Sequence, residues 1–171
     1  MHPYLLIVVG NSDFGPLIMP DASELDLENF LPYLINRVGA AMVVDFTTHA
    51  LAAEDLSIAM WRVLAALSNG GAQRQVDLSG MTSIEVSTLS RLVARLARRG
   101  LVTRERSAND NREVTVALSA QGLALVKRLV PIARALERKA IADLSAKELD
   151  AVKRHLRSMH DNLAGPLEKQ R

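Results

Sequence analysis

Apolar residues recur at helical spacing along most of this chain. From Leu27 the series Phe30, Leu31, Leu34, Val38, Met42 and Phe46 advances by three or four, which predicts a long first helix over about 26–52. Ser23 and Asp26 stand at the spacing of a capping box ahead of it. Ser57 precedes a second series, Ile58, Trp61, Leu64, Ala65 and Leu67, and is placed to cap a helix that stops at Asn69-Gly70-Gly71. A short helix is expected over about 74–79, with Gly80 near its end costing roughly 1 kcal/mol relative to Ala. Thr82 and Glu85 then have capping-box spacing. The helix they open carries Leu89, Leu92, Val93 and Leu96 within about 100° of one another on the helical wheel. Gly100 ends it as a left-handed stop.

The period then changes. Residues 101–106 read as one extended segment, and Val114, Val116 and Leu118 alternate with Thr115 and Ala117 in another. Turn formers at 107–111 join them, so the two make a β-hairpin. Helical spacing returns behind Ser119, with Leu123, Val126, Leu129, Val130, Ala133, Leu136, Ala140 and Leu144 facing inward and Pro131 placed to kink the helix. Ser145 and Glu148 form a further capping box, opening a helix with Leu149, Val152, Leu156, Met159 and Leu163. Trp61 and the Met residues read as core. The fold class is therefore mainly α with a small β-hairpin wing.

Composition narrows the function. The 171 residues are 49% hydrophobic and 23% charged, as in an ordinary globular protein. The absence of Cys excludes disulfides, thiolate zinc sites, Cys nucleophiles and a thiol redox sensor. No apolar run is long enough to span a bilayer, so no membrane partner is expected. The apolar stretch at 4–9 lacks a cationic flank and a cleavage site, which argues against a secretory signal. Residues 1–22 read as an arm: a strand, a partner-docking segment, or retained upstream sequence.

The net charge of +2 hides an asymmetry. Residues 1–60 contain Arg37 against eight carboxylates, whereas the window 91–112 carries seven Arg against Glu105 and Asp110. A surplus of five positive charges in so short a window points to a polyanion. The face opposite the Leu89 stripe carries Ser83, Ser87, Arg91, Ala94 and Arg98, flanked by Thr88, Ser90 and Arg95. It is small and hydroxylic at its start and Arg-rich beyond. Such a face suits a DNA groove, because small residues permit close approach, hydroxyls bond bases or phosphates, and Arg neutralises the backbone. The hairpin adds Arg104, Arg106 and Arg112. Arg112 suits a narrow minor groove, and Asp110 is spaced to hold its guanidinium extended.

A hydroxylic helix followed directly by a basic hairpin is the winged helix-turn-helix order. The run Thr88-Leu89-Ser90-Arg91-Leu92-Val93-Ala94-Arg95-Leu96, then Arg99-Gly100-Leu101-Val102, resembles the recognition helix of MarR-type regulators. Asp110-Asn111-Arg112, then Val116, Leu118, Ser119 and Gly122, resembles that family's wing. The departures are Gly80 before the recognition helix and Asn109 and Asn111 at the wing tip.

The resemblance covers about 26–164. It implies a winged helix-turn-helix region over 57–118 and a helical dimerisation region over 23–56 and 119–171. The surplus apolar stripes of the terminal helices independently suggest a homodimer. The implied function is a cytoplasmic, sequence-specific transcriptional regulator, a repressor on palindromic operators in double-stranded DNA. The expected DNA contacts are Ser83, Ser87, Thr88, Ser90, Arg91 and Arg95 on the helix and Arg104, Arg106, Asp110 and Arg112 on the wing. The resemblance further implies a small aromatic or anionic effector, for which Asp45, His49 and Arg62 are candidate contacts.

No enzyme is expected, because phosphate loop, dinucleotide fingerprint and nucleophile elbow are all missing. His155 and His160, five apart, face different ways on a helix, and neither metal nor cofactor is implied. The competing reading is a dimeric helical sensor or protein-interaction module whose DNA site is vestigial.

Overall fold

The structure is a computed structural model, and it describes residues 25–106 and 114–164. Along the chain run α1 (Leu31–Phe46), a π-helical turn (Thr47–Leu51), a 3-10 turn (Ala52–Glu54), α2 (Ile58–Gly70), β1 (Gln73–Arg74) and α3 (Gln75–Thr82). There follow α4 (Val86–Arg98), β2 (Val102–Arg106), β3 (Val114–Leu118), α5 (Ala120–Ala140) and α6 (Ala146–Ala164). Two compact units divide the chain, Met1–Val38 and Gly39–Arg171. No described helix is long and apolar enough to cross a membrane.

In the first unit the helix begins later than its apolar series suggests. The Asp26 carboxylate accepts the backbone N–H groups of Glu28 and Asn29 at 3.1 and 3.3 Å. This local bonding stabilises a turn in place of a helical start, so α1 opens at Leu31. Ser23, its supposed capping partner, lies outside the described residues. Leu31, Leu34 and Val38 are exposed. The Arg37 guanidinium lies 5.7 Å from the Tyr33 ring centroid, within cation–π range.

The second unit is built on one core. Leu51, Met60, Val63, Leu64, Leu78, Leu89, Val93, Leu96, Val116 and Val126 are fully buried in it. The expected first helix does not run on to 52 as one α-helix. It passes into the π-helical turn at Thr47 and ends at Asp55, whose φ of 47° is left-handed. Phe46 meets Trp61 edge-on, 5.3 Å between ring centroids. The Ser57 hydroxyl accepts the Met60 N–H at 3.2 Å and starts α2 where the sequence places it.

The described strands form one antiparallel sheet in the order β1-β3-β2. Gln73 and Arg104 flank Val116 from opposite sides. The hairpin is as expected, and β1 is an addition, two residues being too few to leave a pattern. Behind the sheet, the Ser119 hydroxyl accepts the Gly122 N–H at 3.0 Å and opens α5. Its inner face is Gly122, Leu125, Val126 and Leu129. The expected inward series is therefore corrected: Leu123, Ala140 and Leu144 are exposed, and Leu125 takes the inner position one turn before Leu129. Met81 is also exposed rather than core. At the start of α6 the Ser145 N–H donates to the Glu148 carboxylate at 2.9 Å and the Ser145 hydroxyl accepts the Glu148 N–H at 3.4 Å, as the capping box requires. Val152, Leu156 and Leu163 of α6 are exposed.

Candidate nucleic-acid interface

The candidate surface is built on α4. Its N-terminus is set by Glu85, which serves as the N-cap itself. The Glu85 carboxylate accepts the N–H groups of Ser87 (2.9 Å) and Thr88 (3.1 Å) and also the Ser87 hydroxyl. These bonds, the Ser87 hydroxyl first among them, lower its pKa from the ordinary 4.5 to about 2. The expected Thr82–Glu85 box is therefore corrected. Thr82 closes the preceding helix and donates its hydroxyl to the Leu78 carbonyl at 2.6 Å, because that buried hydroxyl needs a partner inside α3.

Between α3 and α4 the chain turns through Ser83, at a left-handed φ of 53°. The Ser79 hydroxyl donates across this turn to the Ile84 carbonyl at 2.6 Å. Ser83 thus lies on the inter-helical turn and not on the recognition helix face to which its spacing assigned it.

The two sides of α4 differ as the sequence suggests. Leu89, Val93 and Leu96 are buried, and Leu92 is half-buried. Ser87, Arg91 and Arg98 are exposed, with Thr88 and Ser90 half-buried beside them. Arg91 donates to the Thr88 hydroxyl at 3.3 Å. Arg95 is placed differently, donating to the Asp55 carboxylate at 3.1 Å.

The helix leads directly into the hairpin. Gly100 has a φ of 69° and Leu101 is buried. Ser119 binds this junction twice: its hydroxyl donates to the Gly100 carbonyl (2.5 Å) and its N–H to the Leu101 carbonyl (3.1 Å). Arg104 is exposed on β2, and Arg106 is paired with Val114 in register. Asp110 and Arg112 lie outside the described residues.

Of the three candidate effector contacts, Arg62 lines a pocket whose wall does not include Asp45 or His49. Lys139 donates to the Asp45 carboxylate at 2.9 Å, and this bond holds its pKa below the ordinary range. His49 Nδ1 is 2.8 Å from the Asp45 carbonyl, so that nitrogen carries the hydrogen. The Arg62 cavity has a volume of about 630 Å³, and Trp61, Asn69 and Met81 also line it. Among the described residues no three His, Asp or Glu side chains are grouped to hold a metal ion.

Sequence reasoning did not single out Glu54, Asp55 and Arg128, nor the bonding of Arg99 to that turn. These four residues form a bonded cluster joining the 3-10 turn to α4 and α5. Their sequence separations of 44, 45 and 74 residues leave no local signal.

This arrangement has close counterparts. The sequence model of the MarR family matches residues 56–114. A MarR-family transcriptional regulator from Silicibacter pomeroyi superposes with a TM-score of 0.74 at 31% identity, over 84% of this chain and 96% of its own. BpsR of Bordetella bronchiseptica, whose DNA binding is regulated by 6-hydroxynicotinic acid, superposes with a TM-score of 0.69 at 30% identity, over 76% of this chain and 98% of its own. The transcriptional repressor IacR of Pseudomonas putida is 26% identical over 144 residues, 84% of this chain and 86% of its own. This chain belongs to the MarR family of transcriptional regulators.

Proposed function

We propose that this chain is a DNA-binding transcriptional repressor that acts as a homodimer on a palindromic operator in double-stranded DNA. The observation that carries the reading is α4. It buries Leu89, Val93 and Leu96 against the core and exposes Ser87 and Arg91, with the hairpin following directly. A helix held firmly on one side presents the other to a major groove, where hydroxyl and guanidinium groups meet base edges and phosphates. Ser87, Thr88, Ser90 and Arg91 are the proposed helix contacts. The proposed wing contacts are Arg104, Arg106 and Arg112, the last oriented by Asp110.

Glu85 gives Ser87 a defined chemistry. Because the Ser87 hydroxyl donates to the Glu85 carboxylate, its lone pairs are what remain for DNA. Ser87 therefore suits a base edge bearing an amino donor, adenine N6 or cytosine N4.

The dimer is proposed from the terminal elements, residues 23–56 and 119–171. Leu31, Leu34 and Val38 of α1 and Val152, Leu156 and Leu163 of α6 are exposed apolar residues that a second copy would cover. Symmetry of the dimer implies symmetry of the operator. The regulation of BpsR by 6-hydroxynicotinic acid supports a small aromatic anion as effector here, with Arg62 in its cavity as the cationic contact and Asp45 and His49 as further candidates. The reading makes the chain a regulator and not an enzyme, working beside the chromosome in the cytoplasm.

Selection from a random pool of duplexes tests it. The purified chain should retain a palindromic consensus, with affinity falling steeply as salt rises. Recovery of no consensus, with no salt-dependent binding to any duplex, would leave a helical sensor or protein-interaction module instead.

A further inference from the structure

The turn at Glu54 and Asp55 holds a group of charges that the DNA contacts do not use. Asp55 ends the 3-10 turn in a left-handed conformation. Arg99 of α4 forks onto that turn, donating to the Asp55 carbonyl at 2.7 Å and to the Glu54 carbonyl at 2.6 Å. The planar guanidinium thereby satisfies two adjacent carbonyls at the end of the turn and fixes it against α4. Arg128 of α5 donates to the Glu54 carboxylate at 2.9 Å, fixing it from a second side. With its backbone held, Asp55 presents its carboxylate to Arg95 at 3.1 Å.

Arg95 follows Arg91 by four residues and so stands next to it on the helix surface. A guanidinium extended from that position binds the phosphates of any duplex laid along α4, whatever its sequence. The Asp55 carboxylate engages it first.

We infer that Asp55 is a specificity-determining positioning residue: by holding Arg95 against the Glu54–Asp55 turn, it keeps a sequence-blind phosphate contact out of the interface. Discrimination then depends on Ser87, Thr88, Ser90 and Arg91. The inference rests on the DNA-binding reading above. Both side chains are largely exposed, at 51% and 79%. An exposed ion pair of this kind moves an equilibrium by up to about fivefold, which sets the expected size of the effect.

The full chain and three variants, Asp55→Asn, Arg95→Gln and the double variant, are titrated with the selected operator and with a scrambled duplex across a salt series. Asn keeps the backbone carbonyl that Arg99 uses and tolerates the left-handed conformation. Asp55→Asn should tighten scrambled-duplex binding about two- to fivefold. It should also steepen the log affinity against log salt slope by up to about 0.9, since one more phosphate is neutralised. The ratio of operator to scrambled affinity should fall. Arg95→Gln alone should leave the wild-type slope unchanged, and the double variant should return to it.

A slope flattened by Arg95→Gln alone would make Arg95 a phosphate contact in the wild type and overturn the inference. Equal losses on both duplexes with an unaltered slope would reduce Asp55 to a structural role. Absence of wild-type binding to any duplex would retire the DNA-binding reading and this inference together. Wild-type binding with an unchanged Asp55→Asn slope would retire the inference alone.

Discussion

Gly122→Ala sets helix propensity against contact geometry. Gly122 lies inside α5, where Ala is ordinarily preferred by about 0.5–1 kcal/mol. An added Cβ, however, would stand 1.9 Å from the Leu101 carbonyl oxygen and 3.0 Å from its carbon. A carbon approaches a carbonyl oxygen comfortably no closer than about 3.3 Å. The opposing atoms are backbone, so rotating a side chain gives no relief, and the first turn of α5 must withdraw by more than an ångström. That withdrawal strains both Ser119 bonds to the Gly100–Leu101 junction. Two hydrogen bonds at about 1 kcal/mol each, plus an overpacking cost of about 1–3 kcal/mol, outweigh the propensity gain. The expected net loss is about 2–4 kcal/mol, or a melting temperature lower by roughly 5–15 °C. Thermal unfolding followed by circular dichroism measures it, at fixed protein concentration because association shifts the midpoint. Gly80→Ala is the internal control. Its Cβ would meet nothing within 4 Å, so it should be stabilising by up to about 1 kcal/mol. An unchanged or raised midpoint for Gly122→Ala would refute the argument that this junction is closed by contact.

Three further predictions rest on two other bonded side chains and on one exposed apolar residue. Glu85 has a pKa of about 2 in the fold against an ordinary 4.5, so its stabilisation is full above about 4.5 and lost as pH falls from there through 2. Glu85→Gln should flatten that limb of the melting temperature against pH curve, and an unaltered limb would place the acid sensitivity elsewhere. Arg99→Lys replaces a fork on two carbonyls by a point charge and should cost about 1–2 kcal/mol in urea unfolding; a loss indistinguishable from zero would mean the fork contributes nothing net. Leu156→Glu puts a charge on an exposed apolar residue of α6 and should shift sedimentation towards a folded monomer, whereas an unmoved dimer would exclude that residue from the interface.

How much of this was legible in the sequence depended on the distance over which each interaction acts. Ser57, Ser119 and the Ser145–Glu148 pair act within one helical turn, and each opens its helix where local spacing places it. The Leu89, Val93 and Leu96 stripe was equally local. Thr82 and Glu85 show where local reasoning fails, because their spacing fits two arrangements. In one, Thr82 caps and Glu85 reaches back. In the other, Glu85 caps and Thr82 belongs to the previous helix. The choice is made by burial: Thr82 is sealed in the core and its hydroxyl must bond within α3, which leaves the cap to the exposed carboxylate. On α5 the periodic series put Leu123 inward, but the approach of Gly122 to Leu101 turns Leu125 to the core and leaves Leu123 exposed. That approach brings the first turn of the helix down onto the start of β2, and no window of sequence contains both partners.

The arginine window makes the same point about charge. Read along the chain, residues 91–112 carry five surplus positive charges, and each counts equally towards a polyanion site. In the fold they are not equal. Arg99 is committed to two carbonyls and Arg95 to a carboxylate, and both partners come from the acidic first third of the sequence. The charge offered along α4 is therefore weighted towards Arg91 and Arg98, with Arg104 added by the hairpin. The field at a surface is summed over neighbours in space, so an acidic turn some forty residues upstream subtracts from it as effectively as an acidic neighbour in sequence. The charge asymmetry between the two parts of the chain points to the proposed interface and overstates the free positive charge that α4 offers there. Asp55 is where the two parts meet, which is why its substitution bears on selectivity more than on folding.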